Sequence, residues 1–334
     1  MSVTLADVAK AAGISASTVS RALSAPEKVN ARTAARIRKV AEEMGYVPTR
    51  AAKPATASRR DMIGLIVPDI ANPFFPPIIK AVQARTSARE RLAVVTDVEE
   101  YALDELRHAE FLASRVDGLI LASARASSDS LRDLAERLPL VLINREIDGI
   151  SSVSVENSIG VVEAIEHFAS LGHRTISYLN GPKRSWSNKR RQEAVREAAE
   201  RLGLELVEFG PFEPQIQAGA QAADLVLRTG VTGVLAYDDL IGLGFMARAQ
   251  ERGLAIGQDV SLIGIDDSPM ARMSYPALTT VHVPGAQAGV QAVDLLLDLV
   301  EAQARGETSA PLQRQITVET RLIIRASTGP AQPR

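Results

Sequence analysis

Apolar positions fall into two regimes along this chain. In the first fifty residues they are spaced for short helices. Leu5, Val8, Ala9 and Ala12 recur at i, i+3, i+4 and i+7, one face of a helix that Gly13 breaks. Ser15 suits the N-cap of a second helix, and Ile14 is placed to pack on Val19 as a hydrophobic staple. In that helix Val19, Ala22 and Leu23 share an inner face, leaving Ala16, Ser17, Ser20 and Arg21 outside. Asn30 caps a third helix with Ile37, Val40, Ala41 and Met44 inward, and Gly45 stops it. From Met62 short apolar runs alternate with amphipathic stretches. The runs predict strands at 62–67, 92–96, 118–121, 140–143, 175–179, 233–236 and 261–264. The stretches predict helices at 75–90, 101–114, 129–137, 157–171, 187–202, 217–228, 239–252 and 287–304. Such alternation implies an α/β body of parallel sheets covered on both faces, and the number of units implies two doubly wound subdomains.

The outer face of the second helix is small and polar and ends in one arginine. A helix of that kind can enter a DNA major groove and read base edges. Charge agrees. Residues 1–60 hold eleven Lys/Arg and four acids, a net +7 in a chain of net −2, leaving −9 to the remainder. That asymmetry suggests that one segment meets a polyanion. The other reading is a basic, solvated three-helix domain that binds a protein. Residues 47–61 are small, basic and without apolar period, which predicts a tether. The expected organisation is an all-α helix-turn-helix headpiece at 1–46, a linker at 47–61, a core at 62–326, and a disordered Pro-rich tail at 327–334.

Length and composition exclude several classes. The 334 residues, 46% hydrophobic, suffice for a headpiece and two medium domains. The absence of cysteine excludes disulfides, thiolate zinc sites and cysteine nucleophiles. No apolar h-region precedes Asp7 and Lys10, and no run approaches a membrane span, so a cytosolic protein is expected. His108, His167 and His173 show no metal-ligand spacing. Gly242-Leu243-Gly244 has the letters of a dinucleotide fingerprint but falls inside a predicted helix. No nucleophile–base set or phosphate loop appears, so neither an enzyme nor a cofactor is expected.

Ligands of doubly wound sheets bind at the carboxyl ends of strands. There stand Asp69 and Asn72-Pro73-Phe74-Phe75, Asn144-Arg145, Asn180 with Ser187 and Arg191, Tyr237-Asp238-Asp239 and Asp266-Asp267, with Phe212 alone in a nearby loop. Carboxylates, amides, arginine and flat rings suit a sugar or a nucleoside, whose hydroxyls want paired acceptors and donors and whose ring wants an aromatic plane. Asn144, Asp238 and Asp239 could equally be helix caps, and Phe74 and Phe75 core. Asp267 should point away from Asp266, since only alternate residues share a face.

These runs resemble a known family. Thr4-Leu5-Ala6-Asp7-Val8-Ala9, Gly13-Ile14-Ser15, Ser17 to Leu23, Val29 to Thr33 and Met44 to Pro48 look like the headpiece of the LacI/GalR transcription regulators. The resemblance implies that Ala16, Ser17 and Arg21 read bases. It implies that Ser15, Thr18, Ser20, Lys28, Asn30, Thr33, Tyr46 and Thr49 hold phosphates, and Thr4, Arg50 and Lys53 complete the expected DNA-binding set. In the family the linker forms a hinge helix whose leucine wedges into the minor groove. Here Ala55 stands at the matching position with Pro54 beside it. Proline fits poorly inside a helix and alanine is too small to wedge.

The body is similar too, through Ile63 to Pro68, Asp117 to Ile120, Leu171 to Ile176, Ser261 to Asp267 and Pro276 to Val281. That similarity implies an effector cleft lined by Asp69, Phe74, Phe75, Asn144, Ser187, Arg191, Phe212, Asp238 and Asp266. Arg191 and Asp266 should meet on the ligand's hydroxyls. Asp238 stands where asparagine is common, adding a negative charge. Three chain crossings between subdomains are expected near Glu156, Pro284 and Gln313, making one subdomain of 62–156 with 285–312 and another of 157–284 with 313–326. The tail has no leucine heptads, so a tetramer-forming coiled coil is not expected. The function this implies is a homodimeric repressor of a palindromic double-stranded operator under a sugar-like or nucleoside-like effector. The alternative is a sugar-binding protein without a direct DNA role.

Overall fold

The structure, a computed structural model, describes residues 5–24, 29–44, 60–306 and 313–332. The chain forms two compact units, Met1–Arg59 and Arg60–Arg334. The first holds α1 (Leu5–Ala12), α2 (Ala16–Ser24) and α3 (Ala31–Glu43). Val8, Ala12, Val19, Ala22, Ala34, Ile37 and Ala41 are buried together, with Leu5, Ile14, Leu23, Val40 and Met44 packed at their edge. These are the inner faces read from the spacing. Ser15 caps α2 by accepting from the Thr18 amide at 3.3 Å, and Asn30 caps α3 through the Arg32 amide at 3.0 Å. Arg36 donates to the Ala12 carbonyl at 2.9 Å and so ties α3 to the end of α1.

The second unit contains two six-stranded sheets. The first is built from β1 (Met62–Val67), β2 (Leu92–Asp97), β3 (Gly118–Ala122), β4 (Leu140–Ile143), β5 (Ser151–Glu156) and β11 (Gln315–Glu319) in the order β11-β5-β4-β3-β1-β2, all parallel. The second takes β6 (Thr175–Leu179), β7 (Glu205–Phe209), β8 (Gly233–Ala236), β9 (Ser261–Asp266), β10 (Thr279–His282) and β12 (Arg321–Ile323) in the order β12-β10-β9-β8-β6-β7. Only β12 runs antiparallel. Helices α4 (Phe75–Ala88) and α12 (Gly285–Ala304) cover one face of the first sheet, and α5 (Ala102–Ala113) and α6 (Ser128–Ala135) the other. On the second sheet α7 (Asn157–Ser170) and α8 (Trp186–Leu202) lie opposite α9 (Ile216–Val226) and α10 (Asp239–Glu251), and the short α11 (Pro269–Met273) follows β9.

The glycines of α10 have a packing role. A Cβ at Gly244 would lie 1.9 Å from the Ile216 carbonyl oxygen, and one at Gly219 would lie 2.1 Å from that of Ile241. Two helices can touch backbone to backbone only where both lack a side chain, so the fingerprint-like letters serve the contact between α9 and α10.

Two boundaries differ from the sequence reading. The crossings after Glu156 and at Pro284 fall at the ends of β5 and β10, but the third is at Thr320, not Gln313. Residues 315–319 pair with β5 in the first sheet, and the chain enters the second sheet only at Arg321. Thr320 fixes the crossing: its hydroxyl donates to the Glu156 carbonyl at 2.7 Å and accepts from the Gly160 amide at 2.9 Å. The second correction concerns the segment expected to be disordered from 327. Ser327 is fully buried, donating to the Leu262 carbonyl and accepting from the Thr279 amide. The Gly329 amide donates to Ser261, and Ala331 reaches the Leu171 carbonyl at 2.9 Å. The tail through residue 332 is laid along the second sheet by its own backbone and the hydroxyls of Ser327 and Thr328, which apolar periodicity does not register.

Candidate functional site

On the headpiece, Ser15, Ala16, Ser17, Arg21 and Asn30 are exposed and Thr18, Ser20 and Thr33 half-exposed. Ser15 Oγ lies 2.8 Å from Thr18 Oγ1 and 3.1 Å from Ser17 Oγ, a hydroxyl cluster at the start of α2. A helix N-terminus with clustered hydroxyls suits a phosphate, and the small side chains beyond it leave Arg21 standing clear of the surface. Thr4, Lys28, Tyr46, Thr49, Arg50, Lys53, Pro54 and Ala55 lie outside the described residues.

In the second unit the carboxyl ends of strands from both sheets converge on a small polar cavity. Its walls include Asn72, Phe74 and Phe75 after β1, Ser123 and Arg125 after β3, and Asn144 after β4. From the other sheet come Arg191 on α8, Tyr237 and Asp238 after β8, and Asp266 ending β9. Arg191 is its centre. With 3% of its side chain exposed, it donates to Asn157 Oδ1 at 2.9 Å and to the Tyr237 carbonyl at 2.6 Å. It stands 3.8 Å from Asp266 Oδ1, with its guanidinium 4.9 Å from the Tyr237 ring centre. Gly181 admits that ring, since a Cβ there would lie 2.4 Å from it. Two hydrogen bonds cross the cleft: Asn72 donates to Asp238 Oδ2 at 3.3 Å and Asn144 donates to Ser187 Oγ at 2.6 Å. Asn144 Oδ1 is buried without a partner.

Burial dominates the electrostatics. It pushes Asp238 up to about 6, against the Ile241 amide, Arg191 and Asn72, which favour the charged form. It pushes Asp239 up to about 7 despite hydrogen bonds from Thr280 and Ser268. Asp266 is held well above its usual range by burial, with Arg191 pulling the other way. The site therefore sets carboxyl groups that hold their protons more tightly than exposed ones beside the Arg191 guanidinium.

Backbone geometry marks the same place. Glu100, Ser123, Asn144 and Asp266 all have positive φ, at 64°, 49°, 58° and 120°, and all four line the cavity. Non-glycine residues adopt such values at a cost that concentrates at functional sites. Glu100, Ser123 and Arg125 were missed in the sequence because they follow strands in loops without a motif.

Of the residues expected in the cleft, Phe74, Phe75, Asn144, Arg191, Asp238 and Asp266 line the cavity, and Ser187 touches it through Asn144. The two phenylalanines are also core, packed edge to face at 5.0 Å. Asp238 is both cap and wall: one oxygen accepts from the Ile241 amide at 2.8 Å while the other faces Asn72. Asp69 and Phe212 are not among the lining residues. The Asp69 carboxylate turns back to the Ala71 amide at 2.8 Å, and the Phe212 ring packs against the apolar cluster of the second sheet. Asp239 is structural, held by Thr280 Oγ1 and the Ser268 amide. Asp267 turns away from the cleft to Arg272, Arg325 and His282. His173 is a buried anchor, bonded to Thr232 and Ser261.

Comparison with known proteins bears on both units. Residues 4–49 match the model of the bacterial regulatory proteins of the lacI family, and residues 165–328 match a periplasmic binding protein-like domain. The HTH-type transcriptional regulator GalS of Salmonella typhimurium is 31% identical, over 88% of this chain and 89% of that protein. The HTH-type transcriptional repressor CytR of Escherichia coli is 29% identical, over 97% and 96%. Among solved structures, the lac repressor dimer bound to operator and an anti-inducer superposes with a TM-score of 0.79 at 26% identity, covering 98% of this chain and 100% of that one. A transcriptional regulator CelR–cellobiose complex gives 0.71 at 28% identity, covering 97% and 99%. The chain therefore belongs to the LacI family: it is a DNA-binding transcription regulator with a helix-turn-helix headpiece, not an enzyme.

Proposed function

We propose that this regulator is a cytoplasmic homodimeric repressor whose grip on a palindromic operator is set by a small sugar-like effector in the cleft between the two sheets. Two α2 helices, one from each copy, would read the two half-sites, so protein two-fold symmetry mirrors operator symmetry. Arg21 and Ser17 would contact base edges and Ala16 a thymine methyl, while Ser15, Thr18, Ser20, Asn30 and Thr33 would hold the backbone. Exposed Met273 and Tyr275, at 83% and 92%, are apolar side chains that a second copy could cover.

The observation that carries the effector reading is the buried polar cavity formed jointly by both sheets around Arg191 and Asp266. A polyhydroxyl ligand supplies the donor that Asn144 Oδ1 lacks, and its hydroxyls can pair with the Arg191 guanidinium and the Asp266 carboxyl. It would replace the two direct cross-cleft hydrogen bonds with ligand-mediated ones. The subdomains would then prefer a different mutual arrangement, which is the differential binding that coupling to DNA requires. The lac repressor and CelR structures, described with an anti-inducer and with cellobiose, support this use of the fold.

Nucleosides share the hydroxyls and flat ring, and the CytR likeness keeps them in the test. Thermal unfolding of the full chain against sugars and nucleosides checks the proposal. A ligand at 100 times its dissociation constant adds roughly 2.7 kcal/mol to stability. A clear rise in Tm is expected for wild type and none for Arg191→Ala. An equal rise in both would move the site elsewhere.

A further inference from the structure

A second, wider cavity adjoins the first. It has about 360 Å³, against about 20 Å³ for the inner one, and the two share Glu100 and Arg125. Tyr101 and Leu103 form one side of it, and Lys183 and Arg184, from the other subdomain, form the opposite side.

Glu100 and Arg125 make a built partition between the two spaces. The Arg125 guanidinium holds both Glu100 oxygens at 2.6 and 3.0 Å, and its side chain is only 5% exposed. Its third bond goes to the Ser123 carbonyl at 2.7 Å, so the pair is fixed from below. Glu99 and Glu100 are consecutive residues at φ 47° and 64°. Bonds from the Glu99 amide to Asp97 at 3.0 Å and from the Glu100 amide to the Pro68 carbonyl at 2.7 Å hold that conformation, in which Glu100 meets Arg125 and Tyr101 is exposed. Tyr101 and Leu103 are 64% and 84% exposed. An exposed aromatic ring beside a bidentate ion pair is the equipment that grips a pyranose: the ring takes its apolar face and the charged pair its hydroxyls.

We propose that the effector is a disaccharide or longer oligosaccharide, with one residue held by the Arg191–Asp266 set and the next stacked on Tyr101 and hydrogen-bonded by Glu100 and Arg125. This rests on the sugar reading above and narrows it. The outer residue would touch both subdomains, since Lys183 and Arg184 face Tyr101 across the cavity. Chain length of the sugar would thereby be read as closure of the cleft.

Calorimetric titration of the DNA-free protein with glucose, xylose, cellobiose, xylobiose, maltose, lactose and adenosine tests it. One disaccharide should bind at least about tenfold more tightly than its own monosaccharide. Tyr101→Ala should cut that ratio by about three- to tenfold, the scale of one stacking contact, with monosaccharide affinity held, and Glu100→Gln, at a residue that lines both cavities, should cut the ratio while also weakening the monosaccharide. A general loosening of the fold would lower both affinities together and leave the ratio alone. Tyr101 is exposed, so its variant carries the test if Glu100→Gln folds poorly. A monosaccharide that binds as tightly as its disaccharide, or a ratio unmoved by both variants, overturns the proposal and leaves the sugar site standing. Binding of adenosine alone, or of nothing in the panel, overturns the sugar reading itself.

Discussion

Two arginines carry most of the residue-scale account. Arg21→Ala should cost about 1–3 kcal/mol per half-site if Arg21 grips a guanine edge, and the loss should fall on one base pair when the operator is scanned. Equal affinity at equal salt would remove α2 from the groove. Arg191 is the counterpart in the cleft, where it acts on the raised carboxyls of Asp238 and Asp266. The raised Asp238 and Asp239 give a pH signature. The unfolded chain ionises near the ordinary 3.8, the folded one only at about 6 and about 7. Their stabilising contribution is full below about pH 4 and is lost as pH rises through 6 and 7. Asp267, pulled down by Arg272 and Arg325, acts in the opposite direction at lower pH. Tm should therefore be higher at about pH 5.5 than at pH 8 through this cluster, and Asp239→Asn should shrink the difference. An unchanged slope would remove Asp239 from the effect.

Residue-scale legibility follows from who needs whom. Arg191, Asp238 and Asp266 stand out in the sequence as cavity candidates because polar residues gather at the carboxyl ends of strands, and all three line the cavity. Glu100 and Arg125 find each other only in space, across 25 positions of chain. Asp69 and Phe212 stand outside the cavity's lining because residue type does not say which way a loop turns.

Elements were legible where their period was clean. The three headpiece helices and the apolar strands follow from spacing alone, because burial on one or both faces dictates which positions are apolar. β5 is absent from the predicted strands because Ser151-Ser152-Val153-Ser154-Val155-Glu156 has no continuous apolar run, yet Ser152 and Ser154 are buried in the sheet. β7, β11 and β12 are edge strands with exposed, charged positions, and β10 buries two threonines, Thr279 bonded to the tail and Thr280 to Asp239. At the element scale the linker carries a prediction. With Ala55 beside Pro54, no hinge helix wedge is expected, so the operator should bend little and affinity should be steep in salt. Ala55→Leu alone should change little, whereas Pro54→Ala with Ala55→Leu should increase the bend seen by circular permutation of the operator. A wild-type bend as large as the double variant's would contradict this.

At the scale of the whole molecule the account is a coupling between two units. Three chain crossings, at Glu156, Pro284 and Thr320, join the two sheets, and the chain enters the first sheet at Met62. Asn72–Asp238 and Asn144–Ser187 are single hydrogen bonds, each worth about 0.5–3 kcal/mol net. A ligand that replaces them has enough leverage for the 1–3 kcal/mol typical of coupled sites. The most direct test is operator affinity with and without effector. A palindromic site is selected from random DNA by the full-length protein, labelled, and titrated by fluorescence anisotropy in the presence and absence of the best sugar from the thermal screen. The account predicts a change of at least about tenfold for wild type and none for Arg191→Ala, which should still bind the operator. A sugar that saturates the cleft and leaves operator affinity unchanged would contradict it.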